Sequence, residues 1–215
     1  LGPATEDGDV LRSLLEAGVS VFRVNLACLN RESLMKAVYA IRSISTELQR
    51  PIALLLDMQL SPGRGPDSPA ITESEWADIR FGLEAGVDWM AISAGHVGEA
   101  VRQLRQFFAE QKRTNIGILA RVKNPSTLVA VDPIIQKADG IILGGMNPAS
   151  EGSGAEIFRI VQQCLSTRKL VVMAAGLNSD VTSTLSASPD AWLLAAETSL
   201  GPNPLQSVQM LDGLI

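Results

Sequence analysis

The chain has 215 residues, 46% of them hydrophobic and 19% charged, with a net charge of -5 and a pI near 5.0. This describes a globular protein with a sizeable core, and it excludes a disordered chain, a general nucleic-acid binder and a binder of anionic membrane surfaces. The longest apolar runs are strand-sized, so no transmembrane helix is expected, and Cys28 and Cys164 lack metal spacing and read as reduced thiols in a reducing compartment.

Leu1 opens inside what reads as a loop, so a preceding segment, with any targeting peptide, is expected upstream. Asp9 to Ala17 has helical spacing and Gly18 stops it. Val21 to Asn25 reads as a strand, and Asn30 can cap a helix whose apolar face is Leu34, Ala37, Val38, Ile41, Ile44 and Leu48. Ile52 to Asp57 is a continuous apolar strand with a carboxylate at its tip. Between Met58 and Ala70 periodicity is lost, and three prolines and two glycines mark a loop. Thr72-Glu-Ser-Glu75 is a capping box opening a helix to Ala85. Strands follow at Trp89–Ser93, Ile116–Arg121, Gly140–Leu143, Leu170–Ala175 and Ala191–Ala195. Helices are expected over Val97–Lys112, within Pro125–Lys137, over Ala155–Leu165 and Asp180–Ala187, and from Pro204.

A strand–helix unit thus recurs along the whole chain. Seven strands, with Gly2-Pro3 as the exit loop of one more, predict an α/β fold of the (β/α)8 TIM barrel type with its first strand truncated. An open doubly wound sheet is the alternative, although no Gly-rich phosphate loop follows the first strand.

Few residues suggest chemistry unaided. His96 is the sole histidine, so any Ser/His/Asp arrangement must be built on it, and it reads as an exposed loop residue. Gly144-Gly145 could turn backbone N–H groups toward an anion, although a tight turn explains them equally. Trp76, Trp89 and Trp192 read as core or interface residues, because no basic stripe accompanies them.

Taken in order, Leu1-Gly-Pro-Ala-Thr5, Leu15-Glu-Ala-Gly-Val19 with Phe22-Arg-Val-Asn25, Leu54-Leu-Leu-Asp57, Ala70-Ile-Thr-Glu73, Asp78-Ile-Arg-Phe-Gly82, Gly86-Val-Asp88, Ala120-Arg-Val-Lys-Asn124, Asp139-Gly-Ile-Ile-Leu-Gly-Gly-Met-Asn147 and Asp190-Ala-Trp-Leu-Leu-Ala-Ala-Glu-Thr198 resemble the pyruvate kinase family. The resemblance implies one pyruvate-kinase-like barrel domain over 1–215. Residues 58–70 form a loop where the family inserts its lid domain, and the family's C-terminal domain would follow Ile215.

The resemblance also implies site residues. Arg23 matches a phosphate-contacting arginine, Asn25 and Asp57 match potassium-site positions, and Ser93 and Glu197 fall on the family pattern. Asp57 could equally cap a loop. Elsewhere the match fails. The family's metal glutamate and aspartate fall on Lys123 and Asn147, its phosphate lysine on Arg121, and its enolate-side threonine on Ala175. Ala27, Cys28 and Met58 replace a serine, a histidine and a potassium-site threonine. Mg²⁺ takes hard oxygen ligands, and an ammonium about 4 Å away costs roughly 4 kcal/mol per like charge at an effective dielectric near 20. No catalytic residue is therefore assigned at the degenerate positions Arg121, Lys123, Asn147 and Ala175. Neither Mg nor K is expected as a cofactor, and Arg23, Asn25, Asp57, Ser93 and Arg121 remain candidates for binding an anion.

The implied function is a pyruvate-kinase-like pseudoenzyme acting as a structural or protein-interaction subunit. Its partners would be other subunits, or further copies docking through the barrel helices, but not nucleic acid. Two alternatives stand beside it. One is an active pyruvate kinase, or another enzyme of the phosphoenolpyruvate/pyruvate superfamily. The other is a sensor holding a small phosphorylated metabolite through Arg23 and Arg121.

Overall fold

Seven strands pair in strict chain order into one all-parallel sheet: β1 Val21–Val24, β2 Ala53–Gln59, β3 Trp89–Ser93, β4 Gly117–Val122, β5 Gly140–Leu143, β6 Leu170–Ala175 and β7 Ala191–Leu194. The computed structural model describes residues 1–26, 30–60, 69–93, 97–122, 131–144, 153–175, 189–194 and 201–212. Helices α1 Gly8–Glu16, α2 Arg31–Glu47, α3 Glu73–Glu84, α4 Val97–Glu110, α5 Asp132–Lys137, α6 Ser153–Ser166 and α7 Pro204–Asp212 connect and follow these strands. Sequential parallel order has no point at which strand order reverses, which excludes the doubly wound alternative. The fold is the expected (β/α)8 type with seven strands described, and β1 and β7 each have one neighbour among the described residues. The helix expected over Asp180–Ala187 and the loop at 61–68 lie outside those residues.

Strand alternation divides the core. Leu54, Leu56 and Met58 of β2, Met90 and Ile92 of β3, and Ile118 and Ala120 of β4 face outward into a core with the helices. Val122, Ile141, Leu143, Val171 and Met173 continue that layer against α5 and α6. The opposite parity packs against itself: Leu55, Ala91, Leu119 and Ile142 meet Trp89, Leu170, Val172 and Leu193. This contact among six strands requires a curled sheet with a filled interior. Trp89 also sets the form of its neighbour, because a Cβ on Gly117 would lie 2.1 Å from the indole ring.

Local signals act where the sequence places them. The Asn30 side chain accepts from Ser33 N–H at 2.8 Å and caps α2. Thr72 and Glu75 make the reciprocal capping box of α3. β2 runs two residues past the expected tip at Asp57, because Met58 packs into the outer core and Gln59 pairs with Ser93.

Three aspartates stand directly before alternate strands, at equal spacing along the chain: Asp88 before β3, Asp139 before β5 and Asp190 before β7. Each accepts at Oδ2 from the backbone N–H of the preceding strand's second residue, Leu54, Ile118 or Val171, at 2.8, 2.7 and 2.8 Å. Each returns its own N–H to that residue's carbonyl at 2.9–3.0 Å. Arg42 braces Asp88 from α2, and Arg105 braces Asp139 from α4. The pentapeptide Leu15-Glu-Ala-Gly-Val19 recurs as Leu83-Glu-Ala-Gly-Val87, turning α1 into β1 and α3 into β3 through Gly18 (φ 102°) and Gly86 (φ 75°). Left-handed φ at both turns accounts for the glycines.

Candidate functional site

The inner face changes character near the C-terminal ends of the strands. One step beyond Leu55 of β2 and Leu119 of β4, on the same parity, stand Asp57 and Arg121. β1 contributes Arg23. Arg121 Nη2 lies 2.9 Å from Asp57 Oδ2, and Arg23 Nε lies 3.6 Å from the same oxygen. The Asp57 side chain is 0% exposed and that of Arg121 10%. These three candidates therefore gather at the C-terminal ends of β1, β2 and β4.

The grouping carries excess positive charge, with two guanidiniums on one carboxylate. Burial lowers the pKa of Arg121, Asp57 opposes that shift, and Arg23 reinforces it. Arginine nevertheless stays charged at physiological pH. The 2.9 Å approach of Arg121 brings opposite charges together without aiming an N–H bond squarely at the oxygen. Asp57 Oδ1 and Oδ2 and Arg121 Nε and Nη2 consequently lack hydrogen-bond partners although buried. Buried polar atoms in that condition are costly, and they mark where a further polar group would be stabilised.

Asn25 and Ser93 are half-buried at the ends of β1 and β3, the two neighbours of β2. Met58 faces away from Asp57 into the outer core, so it offers nothing to this site and acts as a packing residue. Gly144 ends β5 so tightly against β6 that a Cβ would lie 2.6 Å from the Ala174 Cβ. Ala175 ends β6. Ala27, Cys28, His96, Lys123, Gly145, Asn147 and Glu197 lie outside the described residues. Trp76 packs edge-on to Phe107 with ring centroids 5.0 Å apart, Trp89 lies in the barrel interior, and Trp192 packs against the outer core, in keeping with structural roles.

Among the described residues, no cluster of three or more His, Cys, Asp or Glu could hold a metal ion. The one carboxylate that the described residues place on the inner face at these strand ends is Asp57, already held by two cations. Among the described residues at these strand ends this leaves no free carboxylate for a divalent ion. The chemistry open to Arg23 and Arg121 is instead to hold an anionic carboxylate or phosphate.

The family described as pyruvate kinase, barrel domain, matches residues 60–208. The chain belongs to the pyruvate kinase family. A pyruvate kinase of Methylorubrum extorquens is 24% identical, over 99% of this chain and 66% of its own length. The chloroplastic pyruvate kinase isozyme A of Ricinus communis is 28% identical, over 66% of this chain and 28% of its own, and a pyruvate kinase of Bacillus licheniformis is 27% identical, over 71% and 29%. This chain thus spans less than two thirds of these relatives' lengths. Among its described residues no helix is long and apolar enough to cross a membrane.

Reading the sequence alone missed two features. The pairing of Arg121 with Asp57 had no local signal, because their strands are joined only through space. The clamping aspartates had one: an Asp directly before every second apolar strand.

Proposed function

We propose that this chain is a pyruvate-kinase-like barrel that has lost the phosphoryl-transfer reaction and serves as a structural or protein-interaction subunit. The observation that carries this reading is the state of Asp57, the one carboxylate at the described strand ends, which is engaged by Arg121 and Arg23. Phosphoryl transfer depends on cations arranged around the migrating group, and single electrostatic contributors of this kind are worth roughly 10²–10³ in rate. Lys123 and Asn147, where the family pattern puts carboxylates, and Ala175, where it puts a hydroxyl, weaken the same chemistry. On this reading the chain is one barrel domain whose 58–70 loop stands in place of the lid. The Methylorubrum alignment runs over 319 positions against 215 residues here, which is in keeping with a missing insertion.

Exposed apolar side chains on the outer helices support docking through them: Met35 and Tyr39 one turn apart on α2, and Phe158 and Leu165 two turns apart on α6. A second reading, that the site holds a small phosphorylated anion, is favoured by the net charge of the Arg23–Asp57–Arg121 grouping and by Arg121 Nε, buried without a hydrogen-bond partner.

Coupled pyruvate formation from phosphoenolpyruvate and ADP, at saturating Mg²⁺ and K⁺, tests the main reading. No turnover above background is expected. A rate near the ~10 s⁻¹ typical of enzymes would overturn it in favour of an active kinase. For the second reading, titration with inorganic phosphate should give saturable heat that Arg23→Ala abolishes, and no heat at all would remove that reading.

A further inference from the structure

We infer that the Arg121 guanidinium is a built-in cation at the Asp57 carboxylate, taking the place that the family pattern gives to potassium, so that this barrel mouth is indifferent to potassium. The inference rests on family membership and on the observed ion grouping, and it holds whether or not an anion binds there.

Asp57 has a fully buried side chain on the second strand of the described sheet, between β1 and β3. A carboxylate so placed needs positive charge close by, because ionising it without a partner in a low-dielectric setting is expensive. Two sources could supply that charge: a diffusible alkali ion held by surrounding oxygens, or a covalently attached side chain. Here the side chain is already in position. Arg121 Nη2 is 2.9 Å from Oδ2, and Arg23 Nε approaches that oxygen at 3.6 Å from the other flank. The carboxylate is overbalanced by one unit of positive charge. An alkali ion against the same oxygen would add a second excess charge within a few ångströms of two guanidiniums, with little water to screen them.

The donor set points the same way. Met58, next along β2, turns its side chain into the outer core and brings no side-chain oxygen to this site. Arginine suits the substitution better than lysine would. Its guanidinium is planar, weakly hydrated and charged at any physiological pH, and its length lets it cross the sheet interior from β4 to β2. β3 separates those two strands, and at this level its inner face carries only Ala91 and Ser93, which leave room for the crossing. A bound ion would obey mass action and vary with salt. A guanidinium on β4 supplies the same charge at a fixed place in any buffer. Arg121 is on this account a positioning residue that sets the charge and orientation of Asp57.

The test compares thermal unfolding of the whole chain in KCl, NaCl and tetramethylammonium chloride at equal ionic strength. Wild type is expected to give the same Tm in all three. A saturable rise specific to K⁺ would overturn the inference without any variant. Arg121→Met removes the charge, keeps most of the apolar stem, and opens a place beside Asp57. Its Tm is expected to rise in K⁺ over tetramethylammonium by roughly 2–4 °C where K⁺ stands about four- to fivefold above its Kd. Adding Asp57→Asn to that variant should abolish the response. An Arg121→Met protein that folds and stays indifferent to K⁺ would show that no cation place had been filled, and would also overturn the inference. Phosphate titration in the three salts separates the two proposals: loss of phosphate binding with unchanged indifference to K⁺ removes the anion reading and leaves this one standing.

Discussion

Asp57 shows how much one residue's setting matters. In isolation it is a strand-end acid, free to bind a metal or cap a loop. Between Arg23 and Arg121 it becomes the centre of a buried ion grouping. Such groupings are weak evidence for net stability, yet breaking one by removing a single member leaves charge buried and uncompensated. Asp57→Ala is therefore expected to cost about 3–5 kcal/mol in urea unfolding with an unchanged m-value. A loss under about 1 kcal/mol would mean that water reaches these guanidiniums. Cys164 illustrates burial acting on a neutral group. Desolvation pushes its thiol pKa up to about 11, well above the usual thiol range, and Asp190 adds to the rise. The folded state keeps this proton while the unfolded state loses it, so its contribution to stability is complete below pH 9 and is lost as pH rises through about 11. In a Cys28→Ser background, Cys164 should resist a thiol reagent at pH 8 until the protein is unfolded. Rapid stoichiometric labelling of the native chain would contradict this.

At the scale of elements, the aspartates before β3, β5 and β7 link the units into pairs. Each joins the first turn of its own strand to the strand before it by two reciprocal hydrogen bonds. Asp88 and Asp139 are tied further, since each also receives an arginine, Arg42 from α2 and Arg105 from α4. Asp139→Ala leaves the Ile118 N–H without its side-chain acceptor and should cost about 1–3 kcal/mol. Asp139→Asn keeps an acceptor oxygen and should recover part of that. Equal losses in the two variants would place the effect on the ion pair with Arg105 instead. Capping boxes, left-handed glycine turns and strand–helix alternation are local chemistry, which is why Thr72–Glu75, Gly18 and Gly86 were legible from residue order alone. The Asp clamps were not read: their positions before every second strand are visible in the residue order, but the partners they hold lie on different strands.

At the scale of the whole molecule, β3 and β4 have partners on both sides, whereas β1 has β2 alone among the described strands. Stability should follow that arrangement. In native-state hydrogen exchange, amides of Leu119 and Ala120 are expected to open only with global unfolding, and those of Phe22 and Val24 through smaller openings. Equal protection in β1 and β4 would mean that the sheet opens as one unit. A filled interior below the charged mouth also separates two tasks. Trp89, Leu119 and Ile142 hold the barrel together, and substitutions one layer above them change its chemistry while the fold is kept.

Residue order by itself determined the parallel αβ repeat, the seven strands and the family, because apolar period, caps and turn glycines are written in short windows. It also determined residue type at the positions the family pattern assigns to a metal, since a lysine at position 123 is a cation wherever its side chain points. Only the tertiary structure decided what Asp57 and Arg121 do. Their pairing arises from the curl of the sheet, which brings β2 and β4 within reach across the interior. Their burial arises from the layers packed around them. Charge is a property of the residue, but whether it stands free to bind or is already matched depends on distances that no spacing along the chain encodes.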